Sequence, residues 1–152
     1  MKPRAAFLLG CLVCGLLAWP AEGARILKDT GAPRLAESGE IDPARVYFSQ
    51  DSIKGEFKDN KLENPSIAAF RDRLKAGKVT AAAGPPIRIL WYPVWRRWVS
   101  VDNRRLWAFK AARMKAIHYR KATQTEIDDA QKLRKFSSHN QGESIDVRGE
   151  TP

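Results

Sequence analysis

Two arginines lie beside an aspartate and an asparagine where a predicted strand changes into a predicted helix. The stretch VSVDNRRLWAFK, residues 99–110, alternates apolar and polar residues up to Asp102 and then takes helical spacing. Arg104 and Arg105 fall in the first helical turn, where the helix dipole disfavours each cation by about 0.3–1 kcal/mol. Free backbone N–H groups and guanidinium groups bind phosphate, so Asn103 and the two arginines are candidate phosphate-binding residues. The alternative is a plain Asp or Asn cap, with an arginine paired to another carboxylate.

A second polar group follows an earlier predicted strand. Ser49, Gln50, Asp51 and Ser52 have side chains that bind a base, a sugar or a phosphate, and Lys54 adds positive charge. The same residue types form Asx and Ser turns with no ligand. Both interpretations stay open, and on the first of them Ser49, Gln50 and Ser52 belong to the ligand site.

Aromatic and basic residues alternate in WYPVWRRW, residues 91–98. Such a surface stacks bases and holds backbone phosphates. A twisted hairpin whose aromatic side chains pack across the strands, with solvated arginines, has the same pattern.

The sequence contains few histidines and cysteines. His118 and His139 are the only histidines, and both cysteines lie in the first 14 residues. A transition-metal site, thiol catalysis and a Ser–His–Asp arrangement are therefore not expected, and no metal ligand is predicted.

The elements that must position these residues are read from periodicity and from turn residues. We predict an α+β domain: a small mixed β-sheet with about three helices, packed on one side of the sheet. The predicted strands are 45–49, 87–92, 96–101 and a short one within 116–122. The predicted helices are one capped by Asn64 with Pro65 next and ended by Gly77, one over 103–114, and one opened by the capping box Thr123 to Glu126 and running to Leu133.

Four segments are predicted along the chain. Residues 1–23 have the basic start, apolar run and small residues of a secretory signal peptide, which predicts a secreted or extracytoplasmic protein, or an organelle reached by that route. Residues 24–44 are predicted to be a linker, 45–136 the domain, and 137–152 a polar tail. If the tail adds a short edge strand within 144–148, Arg148 would close over the candidate site. After signal cleavage no integral membrane segment is expected.

The charge balance is strongly basic, with 27 Lys and Arg against 17 Asp and Glu. A domain of this charge attracts nucleic acid, nucleotides, anionic lipid or an acidic polymer. Solubility alone is the other explanation.

Three motifs in order resemble the ParB/sulfiredoxin-like superfamily, especially its stand-alone or toxin-associated members. They are FSQDSI at 48–53, DNRRL at 102–106 and GESIDVR at 142–148. In that superfamily a strand–turn–helix binds nucleotide phosphates, and members include nucleotide hydrolases, kinases and nucleases. The resemblance covers about 45–122 and implies the same small α+β fold.

Carried over by position, the family's arginine pair falls on Arg104 and Arg105, which implies phosphate contacts. Asp102 replaces the family's usual glycine, so a carboxylate lies beside the anion site as a general base, a Mg²⁺ ligand or a helix cap. Asn103 stands where sulfiredoxin has its cysteine, which excludes sulfinic-acid repair.

Two functions follow. The first is an exported nucleotide- or phosphate-binding domain, a phosphotransferase, hydrolase or nuclease-type toxin that uses a nucleoside triphosphate with Mg²⁺ and has Asp102 as its catalytic residue. The alternative is a non-catalytic basic module that binds nucleic acid or another polyanion. The sequence does not indicate the oligomeric state.

Overall fold

The computed structural model describes residues 31–57 and 66–149. The predicted signal peptide and the predicted helix start at Asn64 and Pro65 lie outside the described residues. The elements, in chain order, are β1 Ser38–Ile41, a 3-10 turn Pro43–Arg45, β2 Val46–Phe48, β3 Ser52–Lys54, α1 Ile67–Lys75, β4 Ile87–Tyr92, β5 Arg97–Ser100, α2 Asn103–Ala111, β6 Ile117–Lys121, α3 Gln124–Lys132 and β7 Asp146–Arg148.

Two β-sheets organise the fold. The larger sheet has five strands in the order β1-β6-β4-β5-β2, and its pairing is mixed. The β4–β5 hairpin and the β1–β6 pair are antiparallel, whereas β4–β6 and β2–β5 are parallel. The smaller sheet pairs β3 with β7 in parallel. The predicted α+β class, with a small mixed sheet and three helices, is confirmed.

Helices cover both faces of the larger sheet. Leu74 of α1 and Leu106 of α2 pack with Ile89 on one face. Ile127 of α3 packs with Leu90 on the other face, because neighbouring residues of a strand point to opposite sides. The expectation that all helices lie on one side is therefore wrong for α3.

The domain extends beyond both ends of the predicted range 45–136. β1 lies inside the segment predicted as a linker, where it pairs with β6, and Leu35 before it packs on the core. Residues 32–44 are therefore part of the folded domain and not a linker. β3 lies outside the predicted strands, because its partner β7 comes from the tail about 90 residues later.

The tail is bound to the domain along most of its described length. Ser137 N donates to Ser49 O at 2.9 Å, and Phe48 N donates to Gly142 O at 3.0 Å, which covers the outer edge of β2. Asp146 N then donates to a carbonyl oxygen of the 49–52 loop at 2.8 Å. The tail thus belongs to the fold, and its predicted short strand is β7.

Local signals at the helix ends behave as expected where they are described. The capping box of Thr123 and Glu126 is present at α3, and Gly77, with φ of 66°, follows the end of α1. Ser66 is the observed N-cap of α1. Within residues 31–57 and 66–149, we find no helix with the length and apolar character of a membrane span.

Candidate anion site at the start of α2

The junction between β5 and α2 is built by hydrogen bonds that leave the helix start uncapped. Asp102 N donates to Ser100 Oγ at 2.9 Å, and Leu106 N donates to Asp102 O as the first helical bond. The Asp102 carboxylate makes no capping bond to α2. Among the described residues, no acceptor takes the backbone N–H groups of residues 103–105, so they remain available to an anion.

Asp102 instead binds two arginines. Arg88 donates to it from Nη2 at 2.6 Å, from Nε at 3.0 Å and from the backbone N at 2.8 Å. Arg105 Nη2 lies 3.0 Å from the same carboxylate. Burial would raise the pKa of Asp102, but the Arg88 hydrogen bonds and the Arg105 charge outweigh it and lower that pKa.

A chain of ion pairs continues from Asp102 to α3. Arg88 Nη1 lies 3.4 Å from Glu126 Oε1, and Arg120 binds both oxygens of Glu126, at 2.5 and 2.8 Å. The Arg120 hydrogen bonds, the Thr123 N–H and Arg88 lower the pKa of Glu126 despite its desolvation. The start of α2 and the capping box of α3 are therefore fixed to each other through β4 and β6.

The two arginines of the RR pair have different surroundings. Arg105 is held by the protein: besides Asp102, its guanidinium donates to the carbonyl oxygens of Pro85 and Pro86. Arg104 forms no ion pair or hydrogen bond with another described side chain. The unfavourable interaction of Arg105 with the helix dipole is offset by its contacts with Asp102, Pro85 and Pro86. Among the described residues, no such contact offsets that of Arg104.

A cavity of about 230 Å³ opens beside the start of α2. Its basic lining comes from four elements or loops and consists of Lys54, Arg104, Arg105, Lys135 and Arg148. Its other lining residues are Gln50, Ser52, Ile53, Phe57, Val101, Asp102 and Asn103. Because Asp102 is neutralised by its arginine partners, the cavity is strongly positive.

The polar loop after β2 is brought to the same site, but its residues play different parts. Asn103 Oδ1 accepts from Ser49 N at 3.0 Å, and Asn103 Nδ2 donates to Ser49 Oγ at 2.9 Å and to Gln50 Oε1 at 3.0 Å. Ser49 is fully buried and does not line the cavity, so it fixes the loop against α2. Gln50 and Ser52 line the cavity, and their ligand contacts stay a prediction.

Arg148 reaches the cavity from β7, which is the placement expected if the tail added a strand. Arg88 was missed by sequence analysis. A charged residue between the buried Ile87 and Ile89 of a central strand needs a buried partner, and this signal was available in the sequence.

The aromatic residues of 91–98 mainly pack within the protein. Trp91 and Trp98 are in edge-to-face contact at 5.6 Å, and Tyr92 packs on Trp95 and Phe136. The alternative of a packed hairpin therefore describes this stretch, and base stacking on it is not favoured.

The cavity suits phosphate oxygens better than a protein-bound metal. Among the described residues, no group of three or more His, Cys, Asp or Glu side chains is arranged to hold a metal ion. Asp102 is the one carboxylate of the lining, and its oxygens are taken by Arg88 and Arg105. A Mg²⁺ ion would find no free carboxylate in this lining.

No protein-family model, no curated protein and no solved structure matches this chain. The resemblance to the ParB/sulfiredoxin-like superfamily therefore stays a prediction, and we infer the function from the site itself.

Proposed function

We propose that this protein binds a phosphate-bearing ligand, with a nucleotide as the leading candidate, in the cavity at the start of α2. The observation that carries the proposal is the cavity's set of cations without protein partners among the described residues. Lys54, Arg104 and Arg148 line it beside the uncapped N–H groups of α2. Guanidinium groups and helix N-termini bind phosphate by charge-assisted hydrogen bonds, and here both face one cavity.

The remaining lining residues favour a ligand that has an apolar part in addition to its phosphate. Ile53, Phe57 and Val101 give an apolar wall, and Gln50 and Ser52 add neutral hydrogen-bonding groups. Small-molecule sites combine an apolar surface with a few placed polar groups in this manner. A nucleotide has a base for the apolar wall and phosphates for the cations.

Asp102 is proposed as a positioning residue. Its carboxylate accepts from Arg88 and Arg105, and its lowered pKa makes it a weak base. Phosphotransfer, hydrolysis and a nuclease-type activity remain predictions of the resemblance, as do the nucleoside triphosphate and Mg²⁺. Export remains a prediction of residues 1–23.

A second candidate function is binding of nucleic acid or another polyanion without catalysis. The exposure of Lys54 and Arg148 favours it, because exposed cations at a cavity mouth can also contact a polymer backbone. Such binding weakens steeply with salt, since each phosphate contact releases counterions.

Calorimetry with ATP, CTP and a short DNA, each at low and high salt and with and without Mg²⁺, separates the two. For nucleotide binding, Arg104→Ala should lower affinity about tenfold or more, the value of one charge-assisted hydrogen bond. Arg73→Ala is the matched control, because Arg73 is an exposed arginine that does not line the cavity. Equal losses in the two variants would contradict the proposal, and tight, salt-sensitive binding of DNA alone would favour the polyanion module.

A further inference from the structure

Two cations lie directly opposite each other in the smaller sheet. In the parallel β3–β7 pair, Lys54 is the register partner of Arg148. Both side chains are exposed, and both line the cavity at the start of α2. Neither forms an ion pair or a hydrogen bond with another described side chain.

This pairing is unfavourable in the protein alone. Like charges directly opposite on a sheet destabilise it, whereas opposite charges in those positions stabilise it. Asp146 lies two residues before Arg148 and on the same face of β7, yet it forms no ion pair with either cation among the described contacts. An anionic group between Lys54 and Arg148 would turn the repulsion into two attractions.

A further cation of the cavity lining comes from a different element. Arg104 comes from α2, next to the free helical N–H groups, and so belongs to the larger sheet's layer of helices. The lining therefore carries positive charge from two different parts of the fold, the β3–β7 pair and the start of α2. Its volume of about 230 Å³ is many times the roughly 15 Å³ that one water needs, which leaves space for more than one anionic group.

We propose that the ligand carries at least two covalently linked phosphate groups, one held by Arg104 and the start of α2 and the next held between Lys54 and Arg148. This inference rests on the proposed function and goes further, because it assigns an oligophosphate moiety and a second subsite. A monophosphate satisfies one of these two cationic groups and leaves the other without an anion. A diphosphate satisfies both.

The test is calorimetry of the full chain with inorganic phosphate, pyrophosphate and tripolyphosphate at one fixed ionic strength. We expect pyrophosphate to bind about tenfold or more tightly than phosphate, since it adds at least one charge-assisted contact. The double variant Lys54→Ala with Arg148→Ala should lose that gain and keep the phosphate affinity within about threefold. Arg104→Ala should weaken phosphate and pyrophosphate alike.

The matched control is Lys78→Ala with Lys115→Ala, which removes two charges from exposed lysines outside the cavity lining. It should keep the preference for pyrophosphate. Equal affinity for phosphate and pyrophosphate in the wild type would overturn the second subsite and leave the proposed function standing. A pyrophosphate gain that survives in the Lys54 and Arg148 variant would overturn its placement. Binding of none of these anions and of no nucleotide would overturn both proposals.

Discussion

At the scale of single residues, neighbouring arginines differ because a helix turns about 100° per residue. Asp102 and Arg105 are three positions apart and lie on one face, where they pair at 3.0 Å. Arg104 lies on another face of the helix and lines the cavity without a partner among the described residues, whereas Arg105 lines the cavity while paired with Asp102. From the sequence we predicted the same role for both arginines, although the three-residue spacing already favoured Arg105 as the partner of Asp102.

The role of Asp102 was predictable only in part. Its place beside the anion site follows from the strand-to-helix change at residue 102, but Arg88, its main partner, is 14 residues earlier in the chain. Cross-strand contacts of this kind depend on the register of the β4–β5 hairpin, which a single sequence does not fix to one residue.

Asp102→Asn is expected to destabilise the fold by about 2–4 kcal/mol, because it leaves the Arg88 and Arg105 guanidinium groups without their carboxylate. The figure is below that of a fully buried pair because the Arg88 side chain is 30% exposed. Urea unfolding measures it. Glu143→Gln is the comparison, since Glu143 is 60% exposed in its pair with Arg97 and its loss should cost less than about 1 kcal/mol. A similar, small cost for both variants would contradict the structural role of Asp102.

Among the helices and strands, hydrophobic periodicity predicted the long elements but not the short ones. β4 occupies the predicted 87–92, and the capping box of α3 is where its residues place it. β1 and β3 have four and three residues, too few for a period to emerge. Their partners are distant in the chain, so pairing rather than local preference defines them.

The tail depends on one glycine. Gly142 has φ of 80°, and a Cβ there would lie 2.2 Å from the carbonyl oxygen of Phe48. Gly142→Ala must therefore break the bond from Phe48 N, with a left-handed backbone cost of about 1–2 kcal/mol in addition. We expect faster proteolysis and faster hydrogen exchange in 137–148, together with weaker pyrophosphate binding through the displacement of Arg148.

Gly77→Ala is the control for that prediction. Gly77 has φ of 66°, and nothing lies within 4 Å of its Cβ position, so only the left-handed backbone cost of about 1–2 kcal/mol applies. Proteolysis of the tail and anion affinity should be unchanged. Equal behaviour of the two variants in these assays would show that the tail does not position Arg148.

At the scale of the whole molecule, the larger sheet separates two apolar clusters. β4 contributes to both, since Ile87 and Ile89 face α1 and α2 while Leu90 and Tyr92 face α3. A strand buried on both faces reads as a continuous apolar run, and the IRILWY run has this character apart from Arg88. That run was the available signal for a helix on the second face, which the expectation of one covered side overlooked.

Because of the ion pairs that join these layers, the free energy of unfolding depends on pH in the acidic range. The pKa values of Asp102 and Glu126 are lowered in the folded protein from ordinary values of 3.8 and 4.5. Above about pH 5 both groups are ionised in the folded and unfolded states, so their stabilisation is complete. As pH falls below that, the unfolded chain binds protons first, and the free energy of unfolding decreases.

We therefore expect the urea midpoint to be flat from about pH 7 to pH 5 and to fall steadily below it. The double variant Asp102→Asn with Glu126→Gln should be less stable at neutral pH, but its midpoint should fall less steeply in acid, because two groups with lowered pKa are gone. Desolvation would raise the pKa of Asp51, but its hydrogen bonds with His139 outweigh this and lower that pKa, so Asp51 keeps a residual slope in the variant. Since Asp102 lies at the start of α2 and Glu126 in α3, the difference in slope between wild type and variant reports the pH-dependent stabilisation by the ion pairs that link the two layers. An equal acid slope in wild type and variant would contradict that stabilisation.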